Sequence, residues 1–352
     1  MSARQSAKPE HIIKTRYRGS KTKIIPAIWD AVKELRFDSV LDAFGGTGAV
    51  SYFFKRQGKR VTYNDHLDFN YVVGRALIEN DTEILEESDL NFIFREKNYE
   101  TFPHVIEKYF KDIYYVNSEN IWLDRIVSNI YDMDAGYKQY MAFWCLFQSC
   151  ITKRPFSLFH RKNLNLRLRK VERSFGNKTT WDTPFEDHFR KFAEEINGYI
   201  YDSGGNCRAM HKDVLKIDNS DDQFDLVYID PPYIPKKGEN IIYRNLYHFL
   251  EGIMDYDNWK EQIDFGSKHR RLEPQYNIWN DKKAVHRVFR DLIKKFRDSI
   301  IVVSHRSDGL PQKEQILTIL RDFKDSVSIA DKLDHKYALS TKNSQEILYL
   351  GI

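Results

Sequence analysis

One stretch near the N-terminus restricts the fold more than any other. The run Ser39-Val40-Leu41, continued by Asp42-Ala43-Phe44, leads straight into Gly45-Gly46-Thr47-Gly48. Ala49 to Lys55 then reads as a helix, and Arg60-Val61-Thr62-Tyr63-Asn64 reads as a short strand that ends on Asp65. Strand, tight turn, helix, strand is a βαβ unit. It predicts parallel strands with a ligand at their carboxyl ends, where loops carry the chemistry. Ahead of it, Ile24, Ile25, Ile28, Trp29 and Val32 recur at helical spacing and predict a helix within Lys23 to Leu35.

The same kind of signal returns late in the chain. Phe224 to Ile229 has the pattern of a buried strand and runs into Asp230-Pro231-Pro232-Tyr233, where two prolines stop it. Ser299 to Ser304 is a further apolar run behind a basic helix around Val285 to Phe296, and Glu346 to Leu350 closes the chain as a last strand. Residues 80–205 are different, mostly helical in pattern and rich in Tyr, Phe, Trp, Lys and Arg. The expected organisation is therefore an α/β Rossmann-like core in two parts, 1–80 and 206–352, split by a mainly helical insertion at 81–205. Asn197 to Asn206 and Asp218 to Asp222 read as loops.

At 352 residues the chain is long enough for one large domain with such an insertion. Its 41% hydrophobic and 30% charged residues are ordinary for a folded soluble protein. The net charge of +4 says little about a polyanionic partner until it is resolved by region. Cys145, Cys150 and Cys207 fit neither a disulfide framework nor a structural zinc site, which points to a reducing, cytoplasmic setting. The polar opening MSARQSAKPE and the lack of any stretch near ~20 apolar residues set secretion and membrane insertion aside.

Two motifs carry chemistry. The glycines of Asp42-Ala43-Phe44-Gly45-Gly46-Thr47-Gly48 let the backbone turn sharply and approach a ligand that a side chain would exclude. Alone, such a turn suits a nucleotide site or an ordinary tight connection equally well. Asp65 has the charge to accept hydrogen bonds from ribose hydroxyls. Asp230-Pro231-Pro232-Tyr233 is more specific, because a strand-ending carboxylate, two rigid prolines and an aromatic suit a planar amine. A flipped adenine would stack on Tyr233, and its N6 amine would donate to the Asp230 carboxylate and the Pro231 carbonyl, leaving the nitrogen lone pair for an electrophilic methyl group. Neither a covalent enzyme intermediate nor a metal is needed.

In order and spacing these motifs resemble the Dam-like family of N6-adenine DNA methyltransferases. The matching positions are Arg16-Tyr17-Arg18-Gly19-Ser20-Lys21, then Phe44, Gly46 and Gly48, then Asp65. They continue with Asp213 in Lys212-Asp213-Val214-Leu215, the tetrad from Asp230, and Lys342-Asn343-Ser344-Gln345-Glu346-Ile347-Leu348. The opening looks particularly like the methyltransferases that accompany type IIS restriction enzymes. The resemblance implies S-adenosylmethionine as cofactor, bordered by Tyr17, Gly19, Lys21, Asp42, Phe44, Gly45, Gly46, Gly48, Asp65, Asp213 and Val214. By the family pattern, Lys21 meets the cofactor carboxylate, Asp42 lies near its amino group, and Asp213 bonds its adenine. Read singly, Lys21 is a solvated helix-start lysine and Asp213 a capping acid.

The resemblance stops short of the insertion, whose residues speak for themselves. Lys153, Arg154, Arg161, Lys162, Arg167, Arg169, Lys170, Arg173 and Lys178 face a single acid, Glu172, with Phe156, Phe159, His160 and Trp181 interleaved. That composition fits phosphate contacts to double-stranded DNA accompanied by base or wedge contacts, and also a solvated basic face. Lys268, His269, Arg270 and Arg271 form a second cluster. The expected enzyme acts as a monomer at the nucleoid, beside a cognate restriction endonuclease encoded nearby without stable contact. The rival readings are methylation of cytosine N4 or of RNA, and a catalytically silent nucleic-acid-binding module; Asp rather than Ser before Pro-Pro-Tyr favours adenine by family resemblance.

Overall fold

The computed structural model describes residues 13, 17, 19–169, 178–204, 206–218, 223–236, 241–335 and 344–352. Arg16, Arg18, Lys170, Glu172, Arg173, Lys342 and Asn343, named above, lie outside the described residues, as do residues 205 and 219–222 of the expected loops.

The chain divides into two compact units. Unit 1, residues 1–66, 202–242 and 276–352, is built on a seven-stranded sheet. In chain order its strands are β1 Ser39–Asp42, β2 Arg60–Asn64, β3 Arg208–Met210, β4 Leu226–Ile229, β5 Ile300–Arg306, β6 Val327–His335 and β7 Ser344–Gly351. Across the sheet they lie in the order β3-β2-β1-β4-β5-β7-β6. β1 to β5 pair in parallel, and β7 runs antiparallel between β5 and β6. The order reverses between β1 and β4, which run side by side with Asp42 opposite Tyr228. Such a switch point opens a crevice at the carboxyl ends of the strands, where ligands of doubly wound sheets sit.

Alternation along the strands makes the two faces of the sheet. Leu41, Val227, Ile229, Ile301, Val303, Ile347 and Tyr349 pack with Val288, Phe289, Leu292 and Ile293 of helix Val285–Lys295 and with Ile316, Ile319 and Leu320 of helix Lys313–Arg321. Each buried side chain of this size contributes roughly 1.5–3 kcal/mol. Helix α1, Ile25–Val32, turns Ile25, Ile28 and Val32 inward, as the spacing of its apolar residues predicts, and α2, Ala49–Arg56, follows the glycine turn. β3 and β6 are strands that the sequence pattern does not announce: Arg208-Ala209-Met210 is too short to show a period, and β6 is polar at many positions.

Unit 2, residues 67–201 and 243–275, is helical among its described residues. Its helices include Asn117–Tyr131, Tyr137–Thr152 and Phe185–Asn197. From Met141 to Thr152 every residue is buried, so the second of these is a central helix rather than an amphipathic one. Rings fill the space beside it. Phe159 stacks on Phe249 at 5.0 Å between centroids, and Phe110 meets Trp259 at 4.7 Å. The unit begins earlier than the expected insertion at 81–205 and takes in residues 243–275, which sequence reading left with the core. No described helix is long and apolar enough to cross a membrane.

Candidate active site and nucleic-acid interface

The carboxyl ends of β1, β2 and β4 bring together the residues singled out in unit 1. After β1 the chain turns through Gly46 at φ +51° and Gly48 at φ +71°, conformations that a side chain disfavours. Gly45 is needed for a different reason. A Cβ there would come within 2.1 Å of the Tyr63 ring, whose hydroxyl donates to the Gly46 carbonyl at 2.8 Å. Asp65 ties the same turn from the end of β2, its carboxylate accepting the Gly46 N–H at 2.9 Å. Phe44 rests edge-on against Trp279 at 5.0 Å.

Asp42 is 1% exposed. One carboxylate oxygen accepts from Ser51 Oγ at 2.6 Å, while the other is buried with no hydrogen-bond partner among the described residues. Burial pushes this carboxyl up to about 7, helped by the carboxylates of Asp230 and Asp65 and opposed by the Ser51 bond. An unsatisfied buried carboxylate oxygen is a place for a cation. Asp213 is a cap, accepting the Leu215 N–H at 3.1 Å at the head of the single turn Val214–Lys216. Asn64 fixes that loop to the end of β2 by accepting the Lys212 N–H and donating to the Lys212 carbonyl, both at 3.1 Å. Val214 is buried below it.

Past β4 lies a four-residue cluster. The Lys21 ammonium sits 3.0 Å from Asp230 Oδ1 and 3.0 Å from Glu346 Oε1, and it also meets the Tyr233 hydroxyl. Tyr233 Oη lies 2.9 Å from Asp230 Oδ1 and 2.9 Å from Glu346 Oε1. Burial pushes the Asp230 carboxyl up to about 6, with Lys21 opposing and Glu346 reinforcing the shift. Burial works against the Lys21 charge, but Asp230 and Glu346 raise its affinity for the proton. Lys21 therefore stays an ammonium.

Two features of this cluster add to the sequence reading. Lys21 pairs with the carboxylate of the Pro-Pro motif and with Glu346, and Tyr233 is buried. Its ring stacks on His305 at 5.8 Å and carries Lys21 at 4.7 Å and Arg306 at 5.7 Å from its centroid. Glu346 was missed as a site residue. Its signal is an acid at the head of the apolar run Ile347-Leu348-Tyr349-Leu350, 1% exposed in the structure.

In unit 2 the basic stretch separates into two classes. Lys153, Arg154 and Arg167, expected to contact DNA, lie inside, 1%, 2% and 6% exposed. Arg167 grips Glu119 with both terminal nitrogens at 2.8 and 2.9 Å, and Lys153 meets the same carboxylate at 3.0 Å. Arg154 donates to the carbonyls of Leu158 and Arg161 and covers the Tyr114 ring at 4.1 Å. Burial lowers its guanidinium to about 10. These cations hold the fold of the unit, which is a correction to the surface role read from composition. Phe159 and Trp181 are interior too. Arg161, Lys162 and Arg169 are exposed, and so is Phe156, on a backbone with φ +65°. The cluster of Lys268, Arg270 and Arg271 belongs to this same unit, with Lys268 exposed.

A family model described as D12 class N6 adenine-specific DNA methyltransferase matches residues 17–308. The Type II methyltransferase M2.HphI of Haemophilus parahaemolyticus is 28% identical over 349 residues, spanning 96% of this chain and 97% of that protein. The Modification methylase LlaI of Lactococcus lactis subsp. lactis is 23% identical over 344 residues, 94% of this chain and 52% of that protein. The Type II methyltransferase M.FokI of Planomicrobium okeanokoites is 25% identical over 329 residues, 87% of this chain and 46% of that protein. The chain thus spans about half the length of these last two relatives.

Proposed function

The chain belongs to the D12 class of N6 adenine-specific DNA methyltransferases, and from that premise we propose how its own residues divide the work. The observation that carries the proposal is the half-buried carboxylate of Asp230, just past β4 at the switch point of the sheet and within electrostatic reach of Asp42, with a cation and a phenol fixing its oxygen. Asp230 accepts a hydrogen bond from the N6 amine of an extruded adenine, and the Pro231 carbonyl accepts the other. Extrusion is required because N6 of a paired adenine is engaged in the duplex. Pro231 and Pro232 hold that carbonyl in place. Asp230 then takes the proton that N6 releases. The Lys21 ammonium stands where the amine must donate, so it withdraws as the base enters, freeing one face of Tyr233 for stacking.

The methyl donor of this reading is S-adenosylmethionine. Its chemical contribution when bound is an electrophilic methyl group on a sulfonium. The residues present suit such a ligand: Asp42 offers a carboxylate oxygen, buried and unsatisfied among the described residues, to a cation, and Gly46 and Gly48 turn the backbone at positive φ. Tyr17, Gly19, Lys21, Phe44, Gly45, Asp65, Asp213 and Val214 complete the proposed border, with Asp65 toward the ribose and Asp213 toward the adenine ring. Unit 2 is proposed to read the DNA site, through the exposed Arg161, Lys162 and Arg169 for phosphates. The names of the relatives support a place in restriction-modification, with a monomeric enzyme working on cytoplasmic DNA beside a cognate endonuclease encoded nearby.

Asp230→Asn tests the central assignment. Methyl transfer should be lost while donor affinity by calorimetry stays within a few-fold, because Asp230 acts on the amine. Turnover near wild type in a folded Asn variant would remove Asp230 from that role. Long-read sequencing of a methylation-free host expressing the wild-type chain would give the modified site and strand.

A further inference from the structure

Glu346 lies beyond residues 17–308, the part of the chain that the family model covers. It stands in β7, opposite Arg306 of β5, and is 1% exposed. Burying a carboxylate costs several kcal/mol unless partners compensate. Its partners are unevenly shared. Lys21 Nζ at 3.0 Å, Tyr233 Oη at 2.9 Å and Ser304 Oγ at 2.5 Å all meet Oε1, while Oε2 is buried with no hydrogen-bond partner among the described residues. A buried acceptor left without a partner calls for an explanation.

We propose that Glu346 is a positioning residue for methyl transfer, holding the Lys21 ammonium between itself and Asp230 so that the cation leaves Asp230 when the amine arrives. The proposal rests on Asp230 being the amine acceptor. Lys21 and the Tyr233 hydroxyl each touch both carboxylates, so a small swing moves the ammonium from shared to held by Glu346 alone, where Oε2 supplies a further acceptor. Two carboxylates around one ammonium also leave the cluster negative, which keeps Asp230 basic enough to take a proton from N6. The groups facing Asp230 are Lys21, Tyr233, Glu346, Asp42 from the end of β1 and Tyr228 from β4. Those facing Glu346 add Ser304 and His305, the latter kept neutral by burial, which lowers it to about 4. Burial raises the Glu346 carboxyl, but Lys21 and the bonds from Ser304 and Tyr233 outweigh it and hold this group ionised.

The test is Glu346→Gln in the full chain, read in two ways. Removing a like charge lowers the proton affinity of Asp230, so the acidic limb of the kcat/KM profile on DNA should move to lower pH by about one unit. Carboxyl carbon NMR of the donor-free protein with labelled aspartate should show the same shift for Asp230. Glu346→Asp, which draws the charge back by one methylene, should give a smaller shift in the same direction and serves if the Gln variant does not fold. Lys21→Met should move the limb the opposite way. A folded Gln variant with both the limb and the Asp230 titration unmoved would overturn the role of Glu346. If Asp230→Asn kept its turnover, the amine-acceptor assignment would fall instead; an inactive Asn variant together with an unmoved limb would sink the Glu346 proposal alone.

Discussion

The Lys21 ammonium, itself buried, lies 3.0 Å from Oδ1 of the half-buried Asp230, on the oxygen that an incoming amine has to reach. One consequence is a pH limit on turnover. Asp230 acts as an ionised acceptor, and burial with Glu346 nearby raises its carboxyl to about 6 in spite of Lys21. As pH falls through about 6 the carboxyl gains a proton and loses its acceptor role. The expected kcat/KM is level above pH 7 and drops toward tenfold per unit on the acid side. Single-turnover rates on subsaturating DNA from pH 5 to 8 would measure it, and a flat profile down to pH 5 would contradict the assignment.

Asp42 sets a different limit, on donor binding. Its carboxyl is pushed up to about 7, first by burial and then by Asp230 and Asp65. A cationic ligand at its unsatisfied oxygen favours the ionised form, so binding and proton release are linked. Donor affinity measured by calorimetry should hold above pH 7 and weaken below it, by up to tenfold per unit. In Asp42→Asn the affinity should be lower and its pH dependence flat. An Asn variant that kept the wild-type slope would show that the linkage lies elsewhere.

Gly45 and Tyr63 are tied by space rather than by dihedral angle. A methyl group on Gly45 would sit 2.1 Å from the Tyr63 ring, which is fully buried. Gly45→Ala should therefore destabilise unit 1 by about 1–3 kcal/mol, the usual range for forced overpacking. Tyr63→Leu will cost stability by itself, but the two changes should be less than additive when combined, because the smaller side chain relieves the clash. Additive losses in denaturant melts would place the strain elsewhere in the turn.

What the sequence discloses and what it conceals follow from how each feature is built. The strand from Leu226 to Ile229 stands out because burial on both faces of a parallel sheet gives short apolar runs, and two prolines end it abruptly. The site motifs are legible because their residues are adjacent in the chain. Glu346 is not, because its partners Lys21, Tyr233 and Ser304 come from distant segments and only folding joins them. The basic stretch misleads for a related reason. Lys153 and Arg167 look like surface charge until Glu119, on another helix, turns out to be their common partner.

That partnership separates two sets of arginines and lysines by experiment. Arg167→Ala leaves Glu119 with the Lys153 ammonium and the Val116 N–H, and opens a buried gap beside Tyr114 and Trp181, whose carbonyls Arg167 also bonds. Breaking a buried ion pair from one side costs about 3–5 kcal/mol, so this variant should fail in thermal melts before it reports on DNA. Replacing the exposed Arg161, Lys162 and Arg169 together by Ala should leave the melting curve nearly unchanged. If they contact phosphates, the triple variant binds all duplexes more weakly and its log-log salt dependence flattens by about 0.9 per lost contact. Cognate and non-cognate DNA should lose affinity alike, since phosphate contacts position the duplex without reading it. Unchanged affinity and salt slope in a folded triple variant would make this face a solvated one, and the search for phosphate contacts would move to Lys268, Arg270 and Arg271 of the same unit.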